Sequence, residues 1–363
     1  MDKIKILHIV TALSWRGGEQ QVAYLLDELE SHVDQYVLCS QDSMMEAHCM
    51  EEEVEHFTQK KRSGFDLAYA KRIKKLCDKY EIDLIHVHDA HAHTFAILAA
   101  DFYGNKTGII LSRRVDFPIK DKWSSKHKYN HKSIKRILCV SNAIKEITAR
   151  GIQDKSKLET VYSGIDLTKF SKSEGKFREE LNVKDETFLI GNTSALANHK
   201  DYFTFLDVAE KVIEAQSNAH FVILGDGPMK DEIVNYSKTK NLQGRFQFLG
   251  FRSDVPSILS DLDCFLITSK TEGLGTSILD AFACEVPVVA TKAGGIPELV
   301  ENGKTGLLNE VKDVEALTIS ILELASDSSL QKDLVAKASK KVQLFTKTAT
   351  AQQTLKQYKM AIS

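Results

Sequence analysis

Residues 267–308 read ITSKTEGLGTSILDAFACEVPVVATKAGGIPELVENGKTGLL and hold six of the chain's 19 glycines. The order of residue types predicts a short strand (265–268), a glycine-bearing loop, a helix from about Thr276, a second strand (286–291) and a second glycine loop. Glycines between a strand and a helix let the backbone turn tightly and bring amides close to a ligand. Thr276 or Ser277 is suited to cap the helix. The amides leading into it, at Gly273, Leu274, Gly275 and Thr276, together with the helix dipole, favour a phosphate. Two acids flank this anion site, Glu272 in the loop and Asp280 on the helix. A carboxylate beside a phosphate is repelled unless it is aimed elsewhere, and sugar hydroxyls are the natural alternative. On a helical wheel Ile278, Leu279 and Phe282 share one face and Asp280 falls roughly opposite, which equally suits a solvated surface acid. Gly294 and Gly295, then Pro297-Glu298, then Gly303 and Gly306 build a second strand–loop–helix unit beside the first.

An acid, seven residues, a second acid, a small-residue helix, then P-V-V-A-T and G-G-x-x-E: this order resembles the signature of family-4 retaining glycosyltransferases of the GT-B fold. The resemblance runs in order along nearly the whole chain. It implies an α/β protein of two doubly wound, Rossmann-like domains facing a central cleft. The acceptor-side domain would span 1–166, joined by a C-terminal helix at 345–363, and the nucleotide-sugar domain 167–344. The family's second acid is usually glutamate; Asp280 is shorter by one methylene.

Composition fits that frame. A chain of 363 residues has two domains as its natural prior, and 43% apolar residues supply an ordinary core in each. A net charge of −2 argues against a general nucleic-acid binder. No apolar run approaches a membrane span. Residues 4–13 contain Lys5 and His8 and lead into Arg16-Gly17-Gly18, so they read as a buried first strand and not a signal peptide. The six scattered cysteines suit small core residues in a reducing cytoplasm.

In the first half, a strand at 3–10, the loop Ser14-Trp15-Arg16-Gly17-Gly18 and a helix at 19–29 open a doubly wound domain without G-x-G-x-x-G. The loop is either a tight turn or, as the resemblance implies, the G-G-x-E loop under the donor diphosphate. Residues 44–55 are acidic and of undecided structure. The strand 83–88 ends in H-V-H-D-A-H-A-H. His86 and His88 share a strand face, while His91 and His93 point differently, so four metal ligands do not converge easily. The resemblance puts His88 near the transferred sugar; a core or surface histidine is the plain alternative. A strand at 108–112 ends in Arg113-Arg114. From there to Arg136 nine Lys/Arg face two acids, with Phe117, Trp123 and Tyr129 interleaved. This is a solvated lysine-rich loop or, since Arg113, Arg114, Trp123 and Lys126 follow a strand's carboxyl end, an acceptor, phosphate or membrane contact.

In the second half, 171–185 reads as a linker with a short helix. Lys200 precedes a helix at 201–214, where a cation is poorly placed for the dipole and hints at an anion nearby. The resemblance implies an arginine and, five residues on, a lysine that clamp the diphosphate. Lys200 matches the lysine, but Ala195 replaces the arginine, so Arg113, Arg114 or Arg16 would have to take over. Gly225-Asp226-Gly227-Pro228 would lie near the nucleoside, with Phe251 or Arg252 stacking on the base. Glu272 would take the donor's hydroxyls, and as a loop acid it is expected to contribute little to the core. Asp280 would take the ribose, and Glu272, Lys200 and His88 would line the reacting centre.

The expected reaction is metal-independent transfer from a nucleotide-sugar substrate to a glycan or lipid-linked acceptor in surface-polysaccharide or lipopolysaccharide assembly. No cofactor, metal or nucleic acid is expected. The setting is cytoplasmic, with a peripheral contact to an anionic membrane face. Asp261 and Asp263 form D-x-D by letter but border a helix end and a strand. The rivals are a sugar-nucleotide 2-epimerase using His86, His88 and Asp89, and a non-catalytic sugar-nucleotide binder.

Overall fold

Near-continuous apolar runs, rather than alternating ones, mark strands covered on both faces, and such strands pair in parallel. The computed structural model describes residues 3–170, 175–216 and 218–362. Residues 171–174 of the expected linker lie outside the described ones; its short helix is Lys176–Leu181. The chain divides into two units, residues 1–164 with 347–363, and residues 165–346.

The first unit holds β1 (Ile4–Val10), β2 (Val33–Ser40), β3 (His56–Gln59), β4 (Leu84–Val87), β5 (Gly108–Arg113), β6 (Ile134–Cys139) and β7 (Leu158–Thr160), all parallel in the order β3-β2-β1-β4-β5-β6-β7. Helices cover the sheet because their apolar residues recur at helical spacing. The helix Leu67–Tyr80 buries Tyr69, Ala70, Ile73, Leu76 and Cys77, and Asp66 caps it by accepting from the Ala68 and Tyr69 amides. The undecided segment 44–55 contains the helix Met44–Glu51, capped by Ser43, and leads into edge strand β3. Neither has an apolar stripe: the helix buries only Met45 and Cys49, and β3 is half-buried throughout. The last helix, Lys347–Ile362, belongs to this unit and places Ala351, Leu355 and Tyr358 among Ile6, Leu25, Leu84 and Ile110.

The second unit holds β8 (Phe188–Thr193), β9 (Ala219–Leu224), β10 (Phe246–Gly250), β11 (Cys264–Ile267), β12 (Val288–Thr291) and β13 (Leu307–Asn309), parallel in the order β10-β9-β8-β11-β12-β13. Its core joins Phe205, Phe221, Ile223 and Leu266 to Leu317, Ile321 and Leu334 of the later helices. Both sheets are doubly wound, and in each the strand order reverses beside the first strand: between β1 and β4, and between β8 and β11. Ligands of open α/β sheets bind outside the carboxyl ends at that reversal.

Among the described residues no helix is long and apolar enough to cross a membrane. The cysteines are free, and burial pushes the Cys39 and Cys77 thiols up to about 11.

Candidate active site

In the second unit the loops after β8 and β11 leave the reversal side by side. The Lys270 amide donates to His199 O at 2.7 Å, its Nζ to Asn198 Oδ1 at 2.8 Å, and Thr268 Oγ1 to Asp201 O at 3.0 Å. This seam brings Lys200 onto Glu272: Nζ lies 2.5 Å from Oε1, with side chains only 14% and 9% exposed. Ser269 Oγ donates to the same oxygen at 2.7 Å. Both bonds fall on Oε1, and Oε2 has no protein hydrogen bond among the described residues. The Lys200 cation therefore has a resident partner, so its place near a helix start does not by itself require an anion. A shielded pair of this kind fixes geometry more than it stabilises, since desolvation offsets most of the attraction.

Two glycine turns brace these loops. A Cβ on Gly225 (φ +146°) would stand 2.0 Å from Ser194 O, and one on Gly294 (φ +54°) 2.0 Å from Glu272 O. Each approach is backbone against backbone and admits no side chain. Gly227 meets Leu196 O and Gly295 meets Gly273 O in the same way. The Gly295 amide donates to Glu272 O at 3.0 Å, and the Leu196 amide to Asp226 O at 3.0 Å. Asp226 itself is exposed and accepts from the Gly227 amide and Lys230.

The helix Thr276–Ala283 follows directly. Its N-cap is Gly275 in the left-handed region with no side-chain bond, so neither Thr276 nor Ser277 caps it, correcting that expectation. The Thr276 and Ser277 amides of its first turn have no partner inside the helix, the Ile278 amide donates to Gly275 O at 2.9 Å, and the turn follows Gly273 and Leu274. The second glycine loop ends in a four-residue helix, Ile296–Leu299. Asp280 is half-buried, not a solvated acid, and burial raises its carboxyl to about 7.

Phe251 is 78% exposed, free to stack on a flat ligand. Arg252 is engaged elsewhere: its guanidinium holds Glu180 at 2.5 and 3.0 Å and Asp254 at 2.8 and 2.7 Å. The D-x-D letters are structural. Asp261 accepts from the Phe177 amide at 2.8 Å, and Asp263 accepts from Arg178 and the Leu189 amide.

In the first unit the reversal is lined by histidines. Register pairs His8 of β1 with His86 of β4, and His88 follows two residues on along the same face. His8 Nδ1 and His88 Nε2 are 3.0 Å apart; the rings stack at 5.3 Å and 17°. His86 bonds Tyr358 OH at 2.6 Å through Nδ1 and Ser112 Oγ at 2.9 Å through Nε2. Burial lowers all three imidazoles, His8 to about 4. Asp89 is fully occupied: it accepts from Thr11 N and Oγ1 at 2.6 and 2.7 Å and from the His91 and Ala92 amides. Of the epimerase rival's acid–base set, His86 and Asp89 are thus held in structural bonds, while His88 Nδ1 has no protein partner among the described residues.

Gly17 and Gly18 lie inside the helix Gly17–Glu28 without positive φ, which corrects both the tight-turn reading and the helix start at 19. A Cβ on Gly17 would meet nothing within 4 Å, and one on Gly18 only Arg114 Cδ at 3.9 Å. The backbone does not need glycine here; its absence of side chain leaves open space over the first turn. Arg16 is the N-cap, with its amide donating to Glu19 Oε2 at 3.0 Å.

The basic run is not one surface. Arg113 is buried, donating to Tyr129 OH at 2.8 Å and to Phe117 O, so it pins the following loop and is not available to an acceptor or phosphate. Lys128 is half-buried against Ala90 O and Thr94 Oγ1, and burial lowers it to about 8. Lys126 pairs with Asp121. Trp123 is 80% exposed and stacked on His127.

Two trios of side chains have metal-ligand types close together, His8–His86–His88 and Asp101–His127–His131. His86 has both nitrogens engaged, and His131 Nδ1 accepts from the Ser133 amide at 3.2 Å, which leaves its Nε2 as the N–H facing Asp101. Neither donor set fits an ion without breaking those bonds. His8 and Ser269 are the participants that sequence reasoning missed. Ser269 lies three residues before Glu272, but nothing in the sequence announces the strand register that brings His8 to His86.

Two doubly wound Rossmann-like sheets, each with a polar cluster at its reversal, are the architecture of the GT-B class of glycosyltransferases. A family model described as "Glycosyltransferase Family 4" matches residues 15–169, and one described as "Glycosyl transferases group 1" matches 173–341. The chain is a family-4 glycosyltransferase of the GT-B fold. It is similar to the N-acetyl-alpha-D-glucosaminyl L-malate synthase of Bacillus anthracis, 26% identical over 77% of this chain and 74% of that one. It is also similar to the UDP-Gal:alpha-D-GlcNAc-diphosphoundecaprenol alpha-1,3-galactosyltransferase of Escherichia coli, 28% identical over 70% of each. Among solved structures, Anabaena Alr3699/HepE in complex with UDP and glucose superposes with a TM-score of 0.86 at 20% identity, covering 98% of this chain and 100% of that one.

Proposed function

We propose that this glycosyltransferase moves a sugar from a nucleoside-diphosphate sugar to a lipid-linked glycan of a bacterial surface polysaccharide, with retention and without a metal. The observation that carries the donor assignment is the Lys200–Glu272 pair beside the first turn of Thr276–Ala283. The leaving diphosphate would rest on the amides of Gly273 to Thr276, with Lys200 turning from Glu272 toward it as charge develops. Glu272 Oε2 would accept from a donor-sugar hydroxyl while Ser269 keeps Oε1 in place. Asp280, ionised, would accept from the ribose hydroxyls, and Phe251 would stack on the base. In a same-face reaction the acceptor hydroxyl bonds to the anomeric carbon as the carbon–phosphate oxygen bond breaks, and its proton passes to the leaving phosphate. The names of the Escherichia coli relative and of a Campylobacter jejuni relative, 25% identical over 79% of each chain, both contain diphospho-undecaprenol sugars, which supports the acceptor class. The UDP in the Anabaena structure supports a uridine donor.

Titration calorimetry of the full chain with UDP-, GDP- and ADP-sugars, with Glu272→Gln alongside, tests the reading. Binding of one nucleotide class, with turnover lost in the variant, is expected; binding with unchanged turnover removes Glu272 from the chemistry. Membrane contact through Trp123 and the exposed Lys120, Lys122 and Lys132 predicts that charge reversal at those three lysines weakens binding to phosphatidylglycerol vesicles several-fold. Vesicle binding indifferent to them marks the run as a solvated loop.

A further inference from the structure

Two shielded side-chain nitrogens of the second unit, His220 Nε2 and Arg245 Nη1, have no protein partner among the described residues. They are neighbours at the amino edge of the sheet, far from the loops that carry the candidate active site. Register makes them so. β9 and β10 pair with Phe221 level with Phe246, and the Phe221 amide donates to Arg245 O at 2.9 Å. One residue earlier on each segment, His220 stands level with Arg245. Phe221 and Phe246 pack on the core face, so His220 turns to the opposite face. It is 7% exposed; burial lowers its imidazole, and the Arg245 guanidinium lowers it further.

Nothing on the chain completes this pair. No carboxylate is bonded to Arg245 among the described residues. Asp263 shares the amino edge, since Leu189 is level with His220 and Ile190 with Cys264. Its carboxylate is already taken by Arg178 at 2.5 Å and by the Leu189 amide at 2.7 Å. A shielded guanidinium nitrogen without an acceptor is costlier than a neutral one, and native proteins rarely leave one so. A water would fill a donor site but would leave the charge unmatched. The pair is not sealed off: Arg245 is half-buried and follows the exposed turn at 243–244.

We propose that His220 and Arg245 form a site for a phosphate-type oxyanion, separate from the donor loops. An oxyanion accepts from the guanidinium and from an Nε2–H imidazole together, and it selects that tautomer. The site lies five residues before Gly225 on β9 and five before Gly250 on β10, roughly 17 Å along the strands. Those same two strands meet again at their far ends, where the Gly225 amide donates to Gly250 O at 2.8 Å. β10 is the edge strand, half-buried throughout, and it leads to Phe251. A bound anion ties the amino end of this edge to β9 and so steadies the strand beneath the candidate base platform. The site stands on the geometry of the second unit and not on the donor assignment.

The test titrates the full-length chain, labelled with 15N-histidine, with inorganic phosphate against chloride at matched ionic strength. It follows the His220 ring nitrogens, assigned by their loss in His220→Gln. A saturable shift with phosphate and none with chloride is expected, unchanged in Lys200→Ala and with UDP present. Arg245→Gln should weaken the response by roughly tenfold or more, and Arg245→Lys should recover part of it. Should Arg245→Gln fail to fold, thermal melting decides: phosphate should raise the melting temperature of the parent more than that of His220→Gln. A His220 resonance that ignores phosphate means that water alone completes the pair, and it overturns the site. A shift that chloride matches, that Arg245→Gln keeps in full, or that Lys200→Ala abolishes overturns it equally. Glycerol phosphate, run separately, tells a phosphate ester from a free oxyanion, and binding of either upholds the site.

Discussion

Glu272 and Lys200 act on each other before they act on anything else. A loop acid at 272 was expected to matter little to the core, but its 2.5 Å contact and shielding correct this. Removing either partner strands the other in a poorly hydrated place, so Lys200→Ala and Glu272→Ala should each lower stability by about 1–3 kcal/mol in urea unfolding. The double variant should lose less than the sum, and strict additivity would mean the pair is not coupled. Asp280 makes the opposite prediction. Its carboxyl titrates near 7 in the folded chain and near the ordinary aspartate value when unfolded. The folded state therefore holds the extra proton between about pH 4 and 7, and stability falls as pH rises through that window. Asp280→Asn should be more stable than the parent by about 1–3 kcal/mol at pH 8 and equal to it at pH 4. If ribose is held by the ionised form, donor affinity of the parent rises from pH 6 to 8 while that of Asp280→Asn stays low and flat.

At the scale of elements, the glycine turns after β9 and β12 are the walls of the candidate site. Gly294→Ala would drive a methyl into Glu272 O in a backbone region that alanine resists, so transfer should fall by at least a hundredfold with thermal stability clearly reduced. Gly17→Ala, by contrast, meets nothing and should leave the melting temperature within a degree or two. Much of this was legible. The strand–glycine–helix order of 267–308 locates the loop, and an awkward place at a helix start marks Lys200. The position of Asp261 and Asp263 at a helix end and a strand speaks against a D-x-D site, and the Phe177 and Leu189 amides give the physical reason. What escaped the sequence depends on contacts between distant segments. Capping by Gly275 in place of Thr276, the enclosure of Arg113 by Tyr129, and the engagement of Arg252 by Glu180 are invisible to local pattern. Edge strand β3 and the helix before it lack the apolar period by which elements are read.

For the molecule as a whole, the division into 1–164 with 347–363 and 165–346 makes the last helix a part of the first unit's core. Leu355 and Tyr358 are buried there, each contributing about 1.5–3 kcal/mol of burial, and Tyr358 also holds His86. Deleting residues 347–363 should leave the first unit open to limited proteolysis while fragments of the second survive. Equal resistance of both units would refute the dependence. The doubly wound plan of each unit is readable from alternating apolar strands and helices; the return of the closing helix to the first unit is implied only by resemblance, and its place beside β1 and β5 is visible only in the structure.

That return has a consequence for how the protein is made. A ribosome delivers the seven strands of the first sheet well before the helix that finishes their core. The whole of residues 165–346 is synthesised in between, a delay of roughly 10–40 s at ordinary elongation rates. During that interval the face of β1, β4 and β5 carrying Ile6, Leu84 and Ile110 lacks its cover, and His86 lacks its phenol. The second unit, continuous in sequence, can close first. The nascent chain thus carries an unfinished amino-terminal half through most of its translation, the state in which a holding chaperone has the most apolar surface to grip.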